Sequence, residues 1–433
     1  GWHIQFSRIA FPNIMWPLTV LIGAIALNEA VRSGSRAWWA LAGAGFAFGI
    51  YTYNGDFLYL GIVGLAMAWI LFGWSAALAA VLIGGAYVSP SGFALVRVAI
   101  GLGLLAMNER VRTRRQLRAA ASFAIGFGVV VWPMAKFILG NQETYFGRGK
   151  GVTIFRTEQW TTLGSLNEKA SFLARRYVDF WDTLTRHPVL DGVAGNGSHG
   201  VVPVTAVVLA AVGIAFAVAR RMHPIVLLGT LTVLLAPLAT VASNDFALRR
   251  SMIVAPFLAM FGGIAVTEII RISWNRRVVV RVAAMTIVLA LSGNIGYRNV
   301  HDYFTDTARS QSTRWVMGPE IVATARYLDT MPAGAYVYFF SMRWPFTYET
   351  IRYFAPDAHG ETRGAPYGPN AIDIDPANGA AVFVLLDQYQ ARLPEIQERY
   401  PGGETVVGPR LTNPDTGPTY IAYVLPTQQA TAP

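Results

Sequence analysis

The run Ser243-Asn244-Asp245-Phe246-Ala247-Leu248-Arg249-Arg250 holds the side chains best suited to chemistry. Two adjacent arginines can grip phosphate oxygens through paired N–H bonds. An apolar run that reads as a helix opens directly behind them, so a helix N-terminus would favour the same anion. The competing reading is a surface ion pair with Asp245. Arg97, inside another apolar run, and Lys136, one turn from the end of a third, are further cations for such an anion. A charge in hydrocarbon costs at least ~2.5 kcal/mol, so each either snorkels to the headgroups or faces a lipid phosphate. Arg8, Tyr53, Asn54, Asn244 and Asp245 would form the rim of this site. Asp56 is either a general base or the cap of the helix that follows it.

These residues sit between apolar runs that set their depth. The chain has 433 residues, 53% of them hydrophobic and only 14% charged, against roughly 25% charged in soluble proteins. That excludes a disordered chain and argues against an ordinary soluble enzyme. A bilayer core takes ~20 apolar residues per helix. Pro12–Val31, Ala119–Leu139, Val202–Ala219, Pro224–Ala242, Ser251–Ile270 and Val278–Tyr297 qualify. The nearly continuous signal between Ala37 and Met107 divides into Ala37–Tyr53, Phe57–Phe72, Trp74–Val88 and Gly92–Met107. The fold expected is a multi-span α-helical membrane protein, with about ten spans.

All but three of the 35 basic residues are arginines, and the net charge is +10. They are scattered between apolar runs, which speaks against a nucleic-acid partner. Arg32 with Arg36, Arg110 to Arg118, Arg220 with Arg221, and Arg271 to Arg277 fall in alternate connections, which the positive-inside rule assigns to the cytoplasm. Asn54–Asp56, the 140–200 loop, the 243–250 loop and the C-terminal region then face outward, as expected for a bacterial inner-membrane protein. Residues 1–298 form the membrane core in this reading. Residues 299–426 form a small extracytoplasmic α/β domain, with helices over Pro319–Thr330, Phe346–Ala355 and Tyr389–Arg399 and strands over Ala335–Phe340, Ala381–Leu386 and Thr419–Leu425; 427–433 is a tail. Asp387, at one strand end, either binds a ligand or closes its loop.

There is no cysteine, hence no thiolate metal site and no cysteine nucleophile. No GxSxG, HExxH or Walker A motif occurs, and His187 and His199 are a weak metal signal. No organic cofactor is called for, and a divalent metal is left open. Gly45 and Gly49 read as helix-packing glycines.

Several segments resemble the C-type-fold membrane glycosyltransferases, in the superfamily of dolichyl-phosphate-mannose–protein mannosyltransferases that includes the lipid A aminoarabinose transferase. Trp2-His3-Ile4-Gln5-Phe6-Ser7-Arg8 looks like the segment after that family's third span. Trp39 through Tyr51-Thr52-Tyr53 looks like its glycine-rich helix. Arg148 through Val152-Thr153-Ile154-Phe155 is similar to the start of its middle external loop, and Ser243-Asn244-Asp245 with Leu248-Arg249 to its late external loop. The resemblance implies transfer of a sugar from a polyprenyl-phosphate donor to a protein, lipid or glycan acceptor on the outer face. Arg249, Arg250, Arg97 and Lys136 would bind the donor phosphate. The family's catalytic acid lies in its first external loop. Because the chain opens at Gly1 rather than Met, that acid and about three spans are expected upstream, and this fragment is expected to be inactive. The alternatives are a non-catalytic, ligase-type or flippase-type handler of lipid-linked glycans, and a transporter. A transporter predicts ionisable residues at mid-membrane, whereas Arg97 lies within its span but off-centre.

Overall fold

A computed structural model describes residues 15–52, 56–88, 100, 113–141, 153–187, 200–220, 223–307, 318–332, 334–363, 372–374, 380–410 and 417–425. The chain divides into two compact units, Gly1–Thr307 and Ala308–Pro433.

The apolar runs of the first unit, with two polar or amphipathic segments (α6 and α7), fold as helices: α1 (Met15–Ser33), α2 (Arg36–Phe48), α3 (Asp56–Phe72), α4 (Trp74–Val88), α5 (Arg114–Gly140), α6 (Glu158–Thr161), α7 (Leu166–Thr185), α8 (Val204–Ala219), α9 (Pro224–Leu235), α10 (Leu238–Val241), α11 (Val254–Trp274) and α12 (Val278–His301). Among the described residues, four stretches are long and apolar enough to cross a membrane: α5, α9 with α10, α11 and α12. By length and composition these four are candidate membrane spans. The expected count of about ten spans is not confirmed. At 1.5 Å per residue, the 13 residues of α2 and the 15 of α4 fall short of a hydrocarbon core. Helices α3 and α8 are apolar but also short. The span expected over Gly92–Met107 lies outside the described residues, apart from Ile100.

Close backbone approach organises the bundle. A Cβ on Gly126 of α5 would lie 1.9 Å from the Ala40 carbonyl oxygen of α2, and one on Gly45 of α2 would lie 2.9 Å from the Gly23 Cα of α1. Only residues without a side chain let the helices meet there, which is the packing role read for Gly45. At α8 and α11, Glu268 is buried between two arginines. Arg220 Nη1 approaches it at 2.5 Å and Arg271 Nε at 3.1 Å. A carboxylate buried at that depth requires such partners.

The second unit is a five-stranded sheet in the order β2-β1-β3-β5-β4. Its strands are β1 (Tyr336–Phe340), β2 (His359–Thr362), β3 (Ala381–Leu385), β4 (Glu404–Val407) and β5 (Ile421–Val424). Strand β1 pairs in parallel with β2 and β3, whereas β5 runs antiparallel to β3 and β4. Helices α13 (Pro319–Leu328) and α14 (Glu349–Phe354) pack Ile321, Ala325 and Ile351 with Val337, Phe339 and Val384. Tyr338, Phe340 and Phe383 face the other way, toward Ile396 of α15 (Leu393–Arg399). Because both faces are covered, β1 and β3 are apolar at every position.

Gly126→Val should force α5 away from α2. Overpacking of this kind costs about 1–3 kcal/mol or more, and the loss is read as a lower thermal midpoint of the detergent-purified protein. Gly293→Val on α12, where an added Cβ meets nothing within 4 Å, is the control and should leave that midpoint near the parent value.

Candidate functional site

The loop between α10 and α11 is built from a broken helix. Pro237 has no N–H to continue the ladder, so α9 stops at Leu235 and a single further turn, α10, follows. The chain then passes through Ser243–Ala247 into a 3-10 turn, Leu248–Ser251, before α11 begins. Buried hydroxyls pin this path. Thr240 Oγ1 donates to the Ala247 carbonyl at 3.0 Å and lies 2.8 Å from Ser251 Oγ, which reaches the Ala236 carbonyl at 3.1 Å.

A second strip of chain is stitched to this loop. Thr153 and Ser243 form an isolated antiparallel bridge, and the Ile154 N–H donates to the Ala242 carbonyl at 2.9 Å. The structure thus joins two segments on which the family resemblance was based. Helix α7 packs beside them. Ser165 and Glu168 form a reciprocal capping box at its start. Its apolar stripe, Leu173, Tyr177, Phe180, Trp181 and Leu184, faces the core. The Tyr177 hydroxyl donates to the Leu234 carbonyl at 2.8 Å, just before the helix break.

Arg176, on the same stripe, is the residue that sequence reasoning missed. Its Nε donates to the Val241 carbonyl at 2.9 Å and its Nη2 to the Ser243 carbonyl. The guanidinium lies 5.0 Å from the Phe246 ring centre and 5.6 Å from that of Phe172. Burial lowers its pKa from the ordinary arginine value, opposed by Asp179 and Asp245; an arginine remains charged regardless. The available signal was an arginine set among the apolar positions of an amphipathic helix.

Asp245 is the centre of the cluster. Arg250 Nη2 lies 3.1 Å from it and Arg249 Nη2 3.6 Å, while the Ser243 hydroxyl donates to Asp245 and Arg250 also donates to Ser243. Burial pushes the Asp245 carboxyl up, but the Ser243 hydroxyl, Arg250 and Arg249 outweigh it and hold the pKa below the usual aspartate value. A carboxylate so stabilised is a poor proton acceptor at neutral pH; it orients the arginines. The ion pair foreseen with Asp245 therefore exists, and it includes both arginines. Arg249 is the more accessible, with 33% of its side chain exposed against 16% for Arg250. Phe246 is held at φ 46°, a left-handed conformation that is strained for an aromatic residue.

Of the other residues foreseen, Asn244 lies in the turn with Asp245. Lys136 is exposed on α5, and among the described residues no hydrogen bond or ion pair joins it to the cluster. Asp56 is the first residue of α3; its side chain lies outside the described residues, as do Arg8, Tyr53, Asn54 and Arg97. The adjacent Tyr51 hydroxyl donates to the Val130 carbonyl at 2.7 Å, tying its loop to α5 near Pro133. In the second unit, Asp387 follows β3 at φ 53° and lies 3.4 Å from Ser341 Oγ, after β1. Among the described residues, no group of three or more His, Asp or Glu is placed to hold a metal ion.

A scan of protein-family models matches none to this chain, and a search of curated proteins finds none similar to it.

Two measurements check this geometry. Arg176→Gln removes donors from the Val241 and Ser243 carbonyls. Amide exchange across 240–251 should accelerate about tenfold or more, since a charged hydrogen bond contributes roughly 1.5–3 kcal/mol. The folded Asp245 carboxyl titrates below its unfolded value of ~3.9, so its pairing is fully present above that pH and is lost as pH falls through the lower folded value. Loop exchange, corrected for intrinsic rates, should stay level down to about pH 4 and rise below it. Asp245→Asn should be fast already at neutral pH and show no such step.

Proposed function

We propose that this protein is a membrane glycosyltransferase that moves a sugar from a polyprenyl-phosphate donor to an acceptor on the extracytoplasmic face. The observation that carries the reading is the convergence of Arg249 and Arg250 on the Asp245 carboxylate, with Arg176 holding the Ser243 carbonyl of the same loop, where an apolar helix begins. A lipid-linked phosphate needs cations at headgroup depth and an apolar path for its tail. Aromatic side chains suit that depth, and Phe155, Trp160 and Phe172 pack edge to face beside the cluster, with ring centres 4.9 and 6.3 Å apart. The alternation of arginine-rich connections assigns this end of the helices to the outside.

In this reading the donor phosphate docks on Arg249. Arg250 and Asp245 hold the loop so that the guanidinium is aimed before the ligand arrives. As the glycosidic bond breaks, negative charge grows on the departing lipid phosphate, and a fixed cation there stabilises it more than it stabilises the ground state. The acceptor hydroxyl or amine needs a base. Asp245 is unsuited to that task, so in this reading the role passes to Asp56. The low proton affinity of Asp245 equally suits a second reading, in which the cluster only binds a lipid-linked glycan, as a ligase-type or flippase-type handler would.

Arg249→Ala should lower kcat/KM for sugar transfer from a polyprenyl-phosphate donor by about 100-fold, the scale seen when one donor to a developing oxyanion is removed. Arg249→Lys, which keeps the charge but not the paired N–H geometry, should restore part of it. The assay is transfer of labelled sugar in membranes containing the protein as its native gene encodes it. Equal turnover in the Arg249→Ala variant and its parent would remove the phosphate role. Binding of the donor without transfer in any variant would select the handler.

A further inference from the structure

A concave site lies where four helix ends meet in the first unit. A cavity of about 540 Å³ opens between the C-terminal ends of α1 and α3 and the N-terminal ends of α2 and α5. Arg36 contributes from α2, and Arg114, Arg115 and Arg118 contribute from α5. Among the described residues, no carboxylate forms an ion pair with any of these four. Some other arginines of the same bundle are neutralised: Arg32 reaches Glu29 at 2.6 Å, and Arg220 and Arg271 share Glu268. The N-caps of α2 and α5, Ser35 and Thr113, make no side-chain capping bond. Two helix N-termini therefore add positive potential at the same rim. Gln116, which also lines the cavity, keeps its carboxamide oxygen buried and without a donor among the described residues.

From this arrangement we infer that the cavity is a binding site for the headgroup of an anionic phospholipid. The arginines and helix ends take the phosphate, and Gln116 takes a headgroup hydroxyl. The topology rule explains why arginines gather at these helix ends, but not why four of them surround one cavity with no carboxylate partner among the described residues. A soluble phosphate is disfavoured by the rest of the wall, which is apolar at Trp39, Ile70 and Leu71. Beyond the cavity, α5 presents Ile125, Val129 and Trp132 outward, an apolar surface suited to acyl chains. Basic pockets between membrane helices are a recurrent way of holding such lipids. The site is independent of the Arg249 cluster, and the inference does not require sugar transfer.

The test uses the detergent-purified chain with dioleoyl phosphatidylglycerol, dioleoyl phosphatidylcholine or inorganic phosphate, read by thermal unfolding and by lipid retention in native mass spectrometry. Phosphatidylglycerol should raise the midpoint and be retained preferentially, whereas phosphatidylcholine and inorganic phosphate should do neither. Arg115→Gln and Arg118→Gln should each weaken retention about fivefold, the scale for one basic residue near an anionic surface. The triple variant Arg36→Gln/Arg115→Gln/Arg118→Gln should keep the lipid-free midpoint and lose the increment. Equal response to phosphatidylcholine, or an unchanged response in the single variants, overturns the site. A full shift with inorganic phosphate alone overturns the lipid assignment. If the triple variant fails to fold, retention by the single variants decides the matter.

Discussion

A helix that stops inside an apolar bundle leaves carbonyl groups without donors, and in such surroundings an unpaired carbonyl is expensive. The break at Ala236-Pro237 creates that demand, and much of the architecture around the Arg249 loop answers it. Tyr177 donates to Leu234, Arg176 donates to Val241 and Ser243, and Ser251 reaches back to Ala236. Three of these bonds come from α7 or the strip beside it, so docking α7 and closing the broken helix are one event. The loop that carries Asp245, Arg249 and Arg250 is a by-product of that closure. Its position is fixed by backbone demands rather than by any ligand.

The parts of this arrangement visible in the sequence are those whose partners are near in the chain. Asp245 with Arg249 and Arg250 is an i, i+4 and i, i+5 set, and its ion pairs could be read directly. Arg176 lies 65 residues from Val241, and its partners are main-chain carbonyls. A carbonyl has no residue type, so no pattern announces it. Helix length was misjudged for a related reason. Apolar content marks where a chain avoids water but not where its helix stops, and α2 gives way to a 3-10 turn at Gly49–Tyr51 while the run is still apolar.

The second unit shows the same division. Strands β1 and β3 were legible within a residue or two, because Tyr336–Phe340 and Ala381–Leu385 are covered on both faces and are apolar throughout. The edge strands β2, His359–Thr362, and β4, Glu404–Val407, were not foreseen. Their polar residues fit positions that one neighbour pairs and solvent touches, and such sequences read as loops. The long helix expected over Tyr389–Arg399 is instead a 3-10 turn, Asp387–Arg392, followed by the short α15. Pro394, at the second position of α15, is compatible with a helix start but not with a helix interior.

The two arginine sets of the first unit differ in a way that bears on what each can do. Around Asp245 the Arg249 and Arg250 guanidiniums are already paired and partly buried, and the Ser243 hydroxyl holds Arg250, so their geometry is settled before any guest arrives. Such preorganisation costs little reorganisation when charge appears, which is what stabilisation of a leaving phosphate requires. Around the cavity at α2 and α5 the arginines are exposed and lack carboxylate partners among the described residues. They would order only when an anion brings its own charge, which suits retention of a lipid rather than chemistry on it. Asp245 is thus what separates the proposed roles. It reduces the net charge available to a phosphate, and in exchange it fixes where the remaining charge points.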